Sequence, residues 1–143
     1  MTDHLLPDPA TGFGERVRQR LRDEQVAWFT TVGADGTPQP NPVWFLWDEP
    51  GLLVYNRPDA NRLTHLRARP RVSLHLDGDG HGGNIVVLTG HAQVLDGYRL
   101  PHELPGYLEK YREAMIRVSG SPEAFSQAYP VPVRVEVTRV RGF

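Results

Sequence analysis

The sequence predicts a mainly β (α+β) domain, a six-stranded antiparallel barrel with short helices on its outside. Three observations predict it. Segments rich in β-branched and aromatic residues recur six times along the chain. Clusters of Gly, Asp and Pro separate them. Only short stretches carry the 3.6-residue apolar period of a helix. The chain has 143 residues, 39% hydrophobic and 23% charged, which is the size and composition of one ordinary globular domain. No internal repeat or second domain shows, so residues 12–143 read as one domain behind a loose polar arm, 1–11, that holds Pro7 and Pro9.

The elements follow in order. From Phe13 to Glu24, the residues Phe13, Val17 and Leu21 recur every four among many Arg, an amphipathic helix with a solvated charged face. Residues 26–32 form a strand, and Gly33–Gly36 a hairpin turn. The returning strand carries Pro38, Pro40 and Pro42. Residues two apart point their N–H groups the same way, so three donors are missing from one side. This strand must be an edge, or the place where the barrel opens. Val43–Trp47 continues it as an apolar strand, residues 48–51 turn the chain, and Leu52–Tyr55 is the third strand.

Asp59 reads as the N-cap of a short helix that Pro70 ends. Residues 71–76 form a strand, 77–84 a flexible Gly-rich turn, and 85–95 a long strand in which Gly90 marks a bulge or bend. His102–Val118 is helical, with Leu104, Leu108, Tyr111 and Met115 or Val118 on one side. Ser121-Pro122 caps a second short helix that stops at Pro130. The chain ends as a half-buried strand of alternating Val residues from Val131 to Val137.

The formal net charge is −1, with 16 basic and 17 acidic residues. Nothing in that balance calls for nucleic acid or an anionic membrane. Fifteen of the basic residues are Arg and only Lys110 is Lys, a bias that codon usage in a GC-rich genome explains without function. The absence of Cys excludes disulfides and thiolate chemistry. Apolar runs fall far short of a spanning helix and no signal peptide is recognisable, so a cytoplasmic location is expected.

The chemistry concentrates in Tyr55-Asn-Arg-Pro-Asp-Ala-Asn-Arg62, where a strand hands over to a helix start flanked by Arg57 and Arg62. Free N–H groups of a first helical turn, beside guanidinium groups, suit a phosphate. Residues 57–71 hold five Arg and one acidic residue, the one strongly biased charge patch of the chain. Ordinary surface arginines explain the same pattern, and a capping Asp59 would sit close to the anion. Trp44, Phe45 and Trp47 lie beside the Pro-rich edge and suit either a flat heterocycle or plain core packing. The six His residues include no HxH or HExxH spacing. Asp77-Gly-Asp-Gly80 opens like a calcium loop, but Leu88 stands where the closing Glu is needed. No GxSxG elbow or carboxylate pair is present, so an enzyme of this sequence would leave its chemistry to a cofactor.

Several motifs occur together in order: Asp35-Gly-Thr-Pro-Gln-Pro-Asn-Pro-Val-Trp-Phe45, Tyr55-Asn-Arg-Pro58, Asn61-Arg-Leu-x-x-Leu66, Arg69-Pro-Arg-Val72 and the C-terminal Val135–Phe143. In these the chain resembles the actinobacterial F420-dependent reductases, which belong to the flavin/deazaflavin oxidoreductase superfamily and are related to pyridoxamine 5'-phosphate oxidase. The resemblance implies a split β-barrel homodimer with cofactor sites at the subunit interface. It implies F420 as cofactor, with FMN as the alternative, and hydride transfer to a small electron-poor enone or quinone. A non-catalytic flavin- or deazaflavin-binding protein remains the other reading. By the same resemblance Arg62 holds the phosphate, Arg57 is a second cofactor contact, and Asn56 is the polar strand-end position. Asn61 belongs to the same motif, and Pro42, Val43 and Trp44 lie against the ring. Arg139 and Arg141 are implied to reach the site from the partner subunit. Thr64 and His65 depart from a basic residue and an Asn found in many relatives, which leaves the choice between F420 and FMN open.

Overall fold

The structure is a computed structural model in which residues 5–143 are described; residues 1–4 of the expected arm lie outside them. The rest of that arm is fastened. Leu6 is buried in the core, and Arg18 Nη1 donates to the Pro7 carbonyl at 2.6 Å. Helix α1 (Gly12–Asp23) starts where Thr11 Oγ1 accepts the Gly14 N–H and buries Val17 and Leu21.

Among the described residues seven strands form one antiparallel sheet: β1 (Ala27–Val32), β2 (Pro38–Val43), β3 (Leu46–Asp48), β4 (Gly51–Asn56), β5 (Arg71–His75), β6 (Val86–Val94) and β7 (Val131–Gly142). Their order is β2-β1-β5-β6-β7-β4-β3. β2 and β3 are therefore the two edges of the sheet, yet only Trp44 and Phe45 separate them in sequence. Three Cα steps span at most about 11 Å, so the sheet must curl until its edges approach. The result is a half-barrel closed by a two-residue crossover.

The expected six strands become seven because the run Val43–Trp47 breaks. Phe45 leaves the ladder and is fully buried. Its N–H donates to Tyr111 Oη at 2.8 Å, and its carbonyl accepts from Lys110 Nζ at 2.9 Å and Tyr111 Oη at 3.0 Å. Side chains of helix α3 (Pro105–Ser119) thus satisfy a backbone that a neighbouring strand would otherwise satisfy.

β2 is an edge as its prolines require, paired to β1 through an unbroken register from Val32–Pro38 to Ala27–Val43. Such a ladder uses the N–H groups of Gln39 and Asn41 and turns the proline side outward. A register shift between Thr89 and Gly90 marks the bulge expected in β6. A Cβ at Gly90 would stand 2.0 Å from the Glu136 carbonyl oxygen, so no other residue fits there.

Two cores result. Phe29, Leu52, Leu74, Leu88, Val133 and Val135 fill the barrel. Outside it, Leu53 and Tyr55 of β4 pack on Tyr107, Tyr111 and Met115 of α3 and on Phe125 of α4 (Pro122–Ala128). β4 is buried on both faces, which is why Leu52–Tyr55 is a continuous apolar run. α3 is preceded by a 3-10 turn at Pro101–Glu103, because Pro101 and Pro105 each open a new start. Its buried face is Tyr107, Tyr111, Ala114 and Met115, and Val118 is exposed.

Helix α2 spans Asn61–Ala68, starting one residue later than an Asp59 cap implies. Ala60, not Asp59, is its N-cap, with no side-chain cap. The turn before it closes through Ala60 N–H to the Arg57 carbonyl at 3.2 Å. The Asp59 carboxylate makes no capping hydrogen bond to the helix start.

Candidate functional site

The C-terminal end of β4, helix α2, the crossover and the α3–α4 pair converge on one cavity of about 250 Å3. That volume is near the lower end of the roughly 300–1,000 Å3 common for ligand sites, so it suits a single ring or one end of a larger ligand. Pro42, Val43 and Trp44 form one wall, and Tyr55, Tyr107, Phe125 and Tyr129 most of the rest. The aromatics are ordered as a stack. Trp44 lies nearly parallel to Tyr111 at 4.8 Å and to Phe125 at 5.1 Å. Phe125 continues to Tyr129 at 4.5 Å. The Arg57 guanidinium covers the Tyr129 ring at 4.9 Å, a cation–π contact.

Arg62 is the one charged residue lining the cavity among the described residues. Its Nε donates to Asn56 Oδ1 at 2.6 Å. Asn56 is fully buried, and its Nδ2 donates to the carbonyls of Val54 and Val131. The amide therefore fixes the direction of the guanidinium, and the terminal nitrogens of Arg62 face no carboxylate among the described residues. Burial holds the Arg62 pKa below its ordinary value, a sign that its charge is partly stripped of water without compensation. A bound anion would supply that compensation.

The sequence profile of the pyridoxamine 5'-phosphate oxidase family matches residues 13–141, nearly the whole chain. The chain belongs to the pyridoxamine 5'-phosphate oxidase family. Among solved structures, an F420 reductase shares 20% identity over 87% of this chain and 94% of that one, with a TM-score of 0.66. A FAD-binding protein from Mesorhizobium loti shares 23% over 86% and 88%, with a TM-score of 0.62. A heme storage protein from Vibrio cholerae shares 14% over 90% and 92%, also at 0.62. At these identities the likeness is one of fold. No curated protein matches the chain.

In this family member the fold gathers some of the residues that the sequence singled out and disperses others. Pro42, Val43, Trp44 and Arg62 line the cavity, and Asn56 braces it from beneath. Arg57 is exposed and meets the cavity only through Tyr129, so the two arginines do not form the joint rim expected of them. Asn61 is exposed at the first turn of α2 and makes no part of the wall. Arg139 and Arg141 pair with Thr89 and Val87, far along β7 from the Val131 end that meets Asn56. Within one chain they stay away from the cavity. Arg69 spends its Nε on the Val32 carbonyl at 2.7 Å.

The aromatic wall contributed by α3 and α4 was not read from the sequence. Its signal was present as two i, i+4 pairs, Tyr107 with Tyr111 on α3 and Phe125 of α4 with Tyr129 at its C-cap.

Proposed function

We propose that this member of the pyridoxamine 5'-phosphate oxidase family binds a deazaflavin or flavin, F420 in preference to FMN, and passes hydride to a small electron-poor acceptor. The observation that carries the reading is the Arg62 guanidinium, braced by Asn56 and half-buried in an aromatic cavity beside the Pro42–Trp44 edge. The residues present fit such a group. Arg62 takes its anionic end, Arg57 adds charge behind Tyr129, and Val43 and Trp44 offer an apolar wall. When bound, the cofactor supplies the hydride; the chain supplies position, orientation and exclusion of water. The acceptor is a conjugated enone or quinone, a class whose reduction asks for no acid or nucleophile from the protein beyond a proton. The homodimer is part of the proposal, with Arg139 and Arg141 of one subunit directed at the site of the other.

FMN is the second reading. Its tail is shorter than that of F420, and the commitment of Arg69 to Val32 leaves only Arg67 to follow a longer one. Titration of the full chain with F420 and with FMN separates the two, and repeating it on an Arg57→Ala, Arg62→Ala variant tests the site. A charge-assisted contact is worth roughly 1.5–3 kcal/mol, so affinity should fall at least tenfold. Equal affinity of the variant and the parent would refute the site. Tight binding without turnover of any enone or quinone would make the protein a cofactor carrier.

A further inference from the structure

Tyr107 and Tyr111 sit one turn apart on α3, both almost completely buried, and their hydroxyls have opposite fates. Tyr111 Oη accepts the Phe45 N–H and lies within hydrogen-bond reach of the Gln25 and Phe45 carbonyls. The Tyr107 hydroxyl has no hydrogen-bond partner among the described residues, although the residue is only 1% exposed. No sealed side-chain polar atom among those residues lacks a partner. The little surface that Tyr107 keeps therefore includes its hydroxyl, and the residue lines the cavity.

A hydroxyl that meets the cavity with no protein partner is left for whatever enters the cavity to satisfy. The ring cannot turn away to find one. Tyr55 meets it edge-on at 4.9 Å, Tyr111 packs at 4.8 Å, and Phe125 lies beyond at 6.4 Å. We propose that the Tyr107 hydroxyl is the hydrogen-bond donor this cavity presents to a carbonyl oxygen on a flat conjugated ring. The proposal rests on reading the cavity as the ligand site.

The chemistry of the cavity selects that ligand class. Burial raises the Tyr107 pKa well above its ordinary value, so the hydroxyl keeps its proton. The other polar group of the wall, Arg62, is a donor only, the protonated Tyr107 hydroxyl has a proton to donate, and the Tyr55 hydroxyl spends its own on the Arg99 carbonyl at 2.6 Å. A cavity with donors and aromatic faces accepts a planar ring that brings acceptors. Such a carbonyl can belong to the cofactor ring or to a quinone or enone substrate.

The test uses the full chain, the Tyr107→Phe variant and three probes applied singly: 2-methyl-1,4-naphthoquinone, FMN and F420. The variant keeps the ring and removes the unpartnered hydroxyl. Its melting temperature should equal or exceed that of the parent, while affinity for the carbonyl-bearing probe should fall about five- to tenfold. A fall for the naphthoquinone alone assigns the carbonyl to the substrate, and a fall for FMN or F420 assigns it to the cofactor ring; either supports the proposal. Tyr111→Phe is the control and should melt lower. If parent and variant bind all probes equally, or if Tyr107→Phe melts well below the parent with affinity unchanged, the hydroxyl is no ligand contact and the assignment is overturned. If the parent binds none of the three, the reading of the cavity falls, and this assignment with it.

Discussion

Arg62 Nε donates to Asn56 Oδ1 across 2.6 Å, and the same amide holds the carbonyls of Val54 and Val131 through its nitrogen. One buried side chain thus ties β4 to β7 and aims the cation of α2. Asn56→Leu keeps the volume and removes all three bonds. Two carbonyls then lose a donor, and stability should drop by about 1–3 kcal/mol. Urea denaturation would read this as a lower midpoint at constant slope.

Arg62→Lys keeps the charge and discards the fork. A lysine cannot donate sideways to Asn56 while directing two more nitrogens at an anion. Affinity for the proposed cofactor, F420 or FMN, should fall by about tenfold by calorimetric titration, corresponding to roughly 1.4 kcal/mol. An affinity equal to the parent's would show that charge alone is recognised.

Tyr111→Phe should destabilise the fold by roughly 2–3 kcal/mol, because it strips the partner from the buried Phe45 N–H. The loss falls on the crossover that joins the two sheet edges. Amide exchange at Phe45 and Leu46 should accelerate more than at β5 or β6.

Lys110 gives a pH dependence with a definite sign. Burial, against the opposing charges of Asp23 and Glu24, lowers its pKa from 10.5 to about 8. Its Nζ lies 3.9 Å from the centre of the Phe45 ring, without a carboxylate within ion-pair distance among the described residues. Between those two pKa values the unfolded chain holds the proton and the folded chain has released it. Stability therefore rises with pH across that window. Relative to Lys110→Met, the parent should gain stability from about pH 7.5 to about pH 9.5, before ordinary tyrosines ionise near pH 10. Parallel curves for the two proteins would contradict the buried cation.

Gly90→Ala places a methyl group 2.0 Å from the Glu136 carbonyl oxygen. The bulge cannot shift without breaking register with β7. A loss of more than about 2 kcal/mol is expected, at the severe end for a one-carbon change. Thermal unfolding would measure it.

Much of the barrel was legible because its signals are local. The prolines at 38, 40 and 42 demanded an edge, Gly90 a bulge, and Ser121-Pro122 a helix start, and each stands where expected. The break at Trp44–Phe45 was not legible, because the partner of the Phe45 N–H lies 66 residues away on helix α3. Asp59 misled for a related reason: a good capping residue loses its role when the preceding turn closes on Arg57. At the site, Arg62 and Asn56 stood out as polar residues at a strand end. The aromatic wall did not, because a tyrosine facing a core and a tyrosine facing a cavity look the same in one sequence. Only the count of hydrogen bonds separates Tyr107 from Tyr111.

The outward side of β2 carries a consequence for assembly. With prolines at every second position, it displays carbonyl oxygens and no amide hydrogens. A stray extended chain cannot zip onto it, since a growing sheet needs both. Whatever docks along this rim must bring the hydrogens itself, as a guanidinium or a ring imide can. The same residues that end the sheet thereby discourage fibrous self-association while leaving the rim open to chosen company.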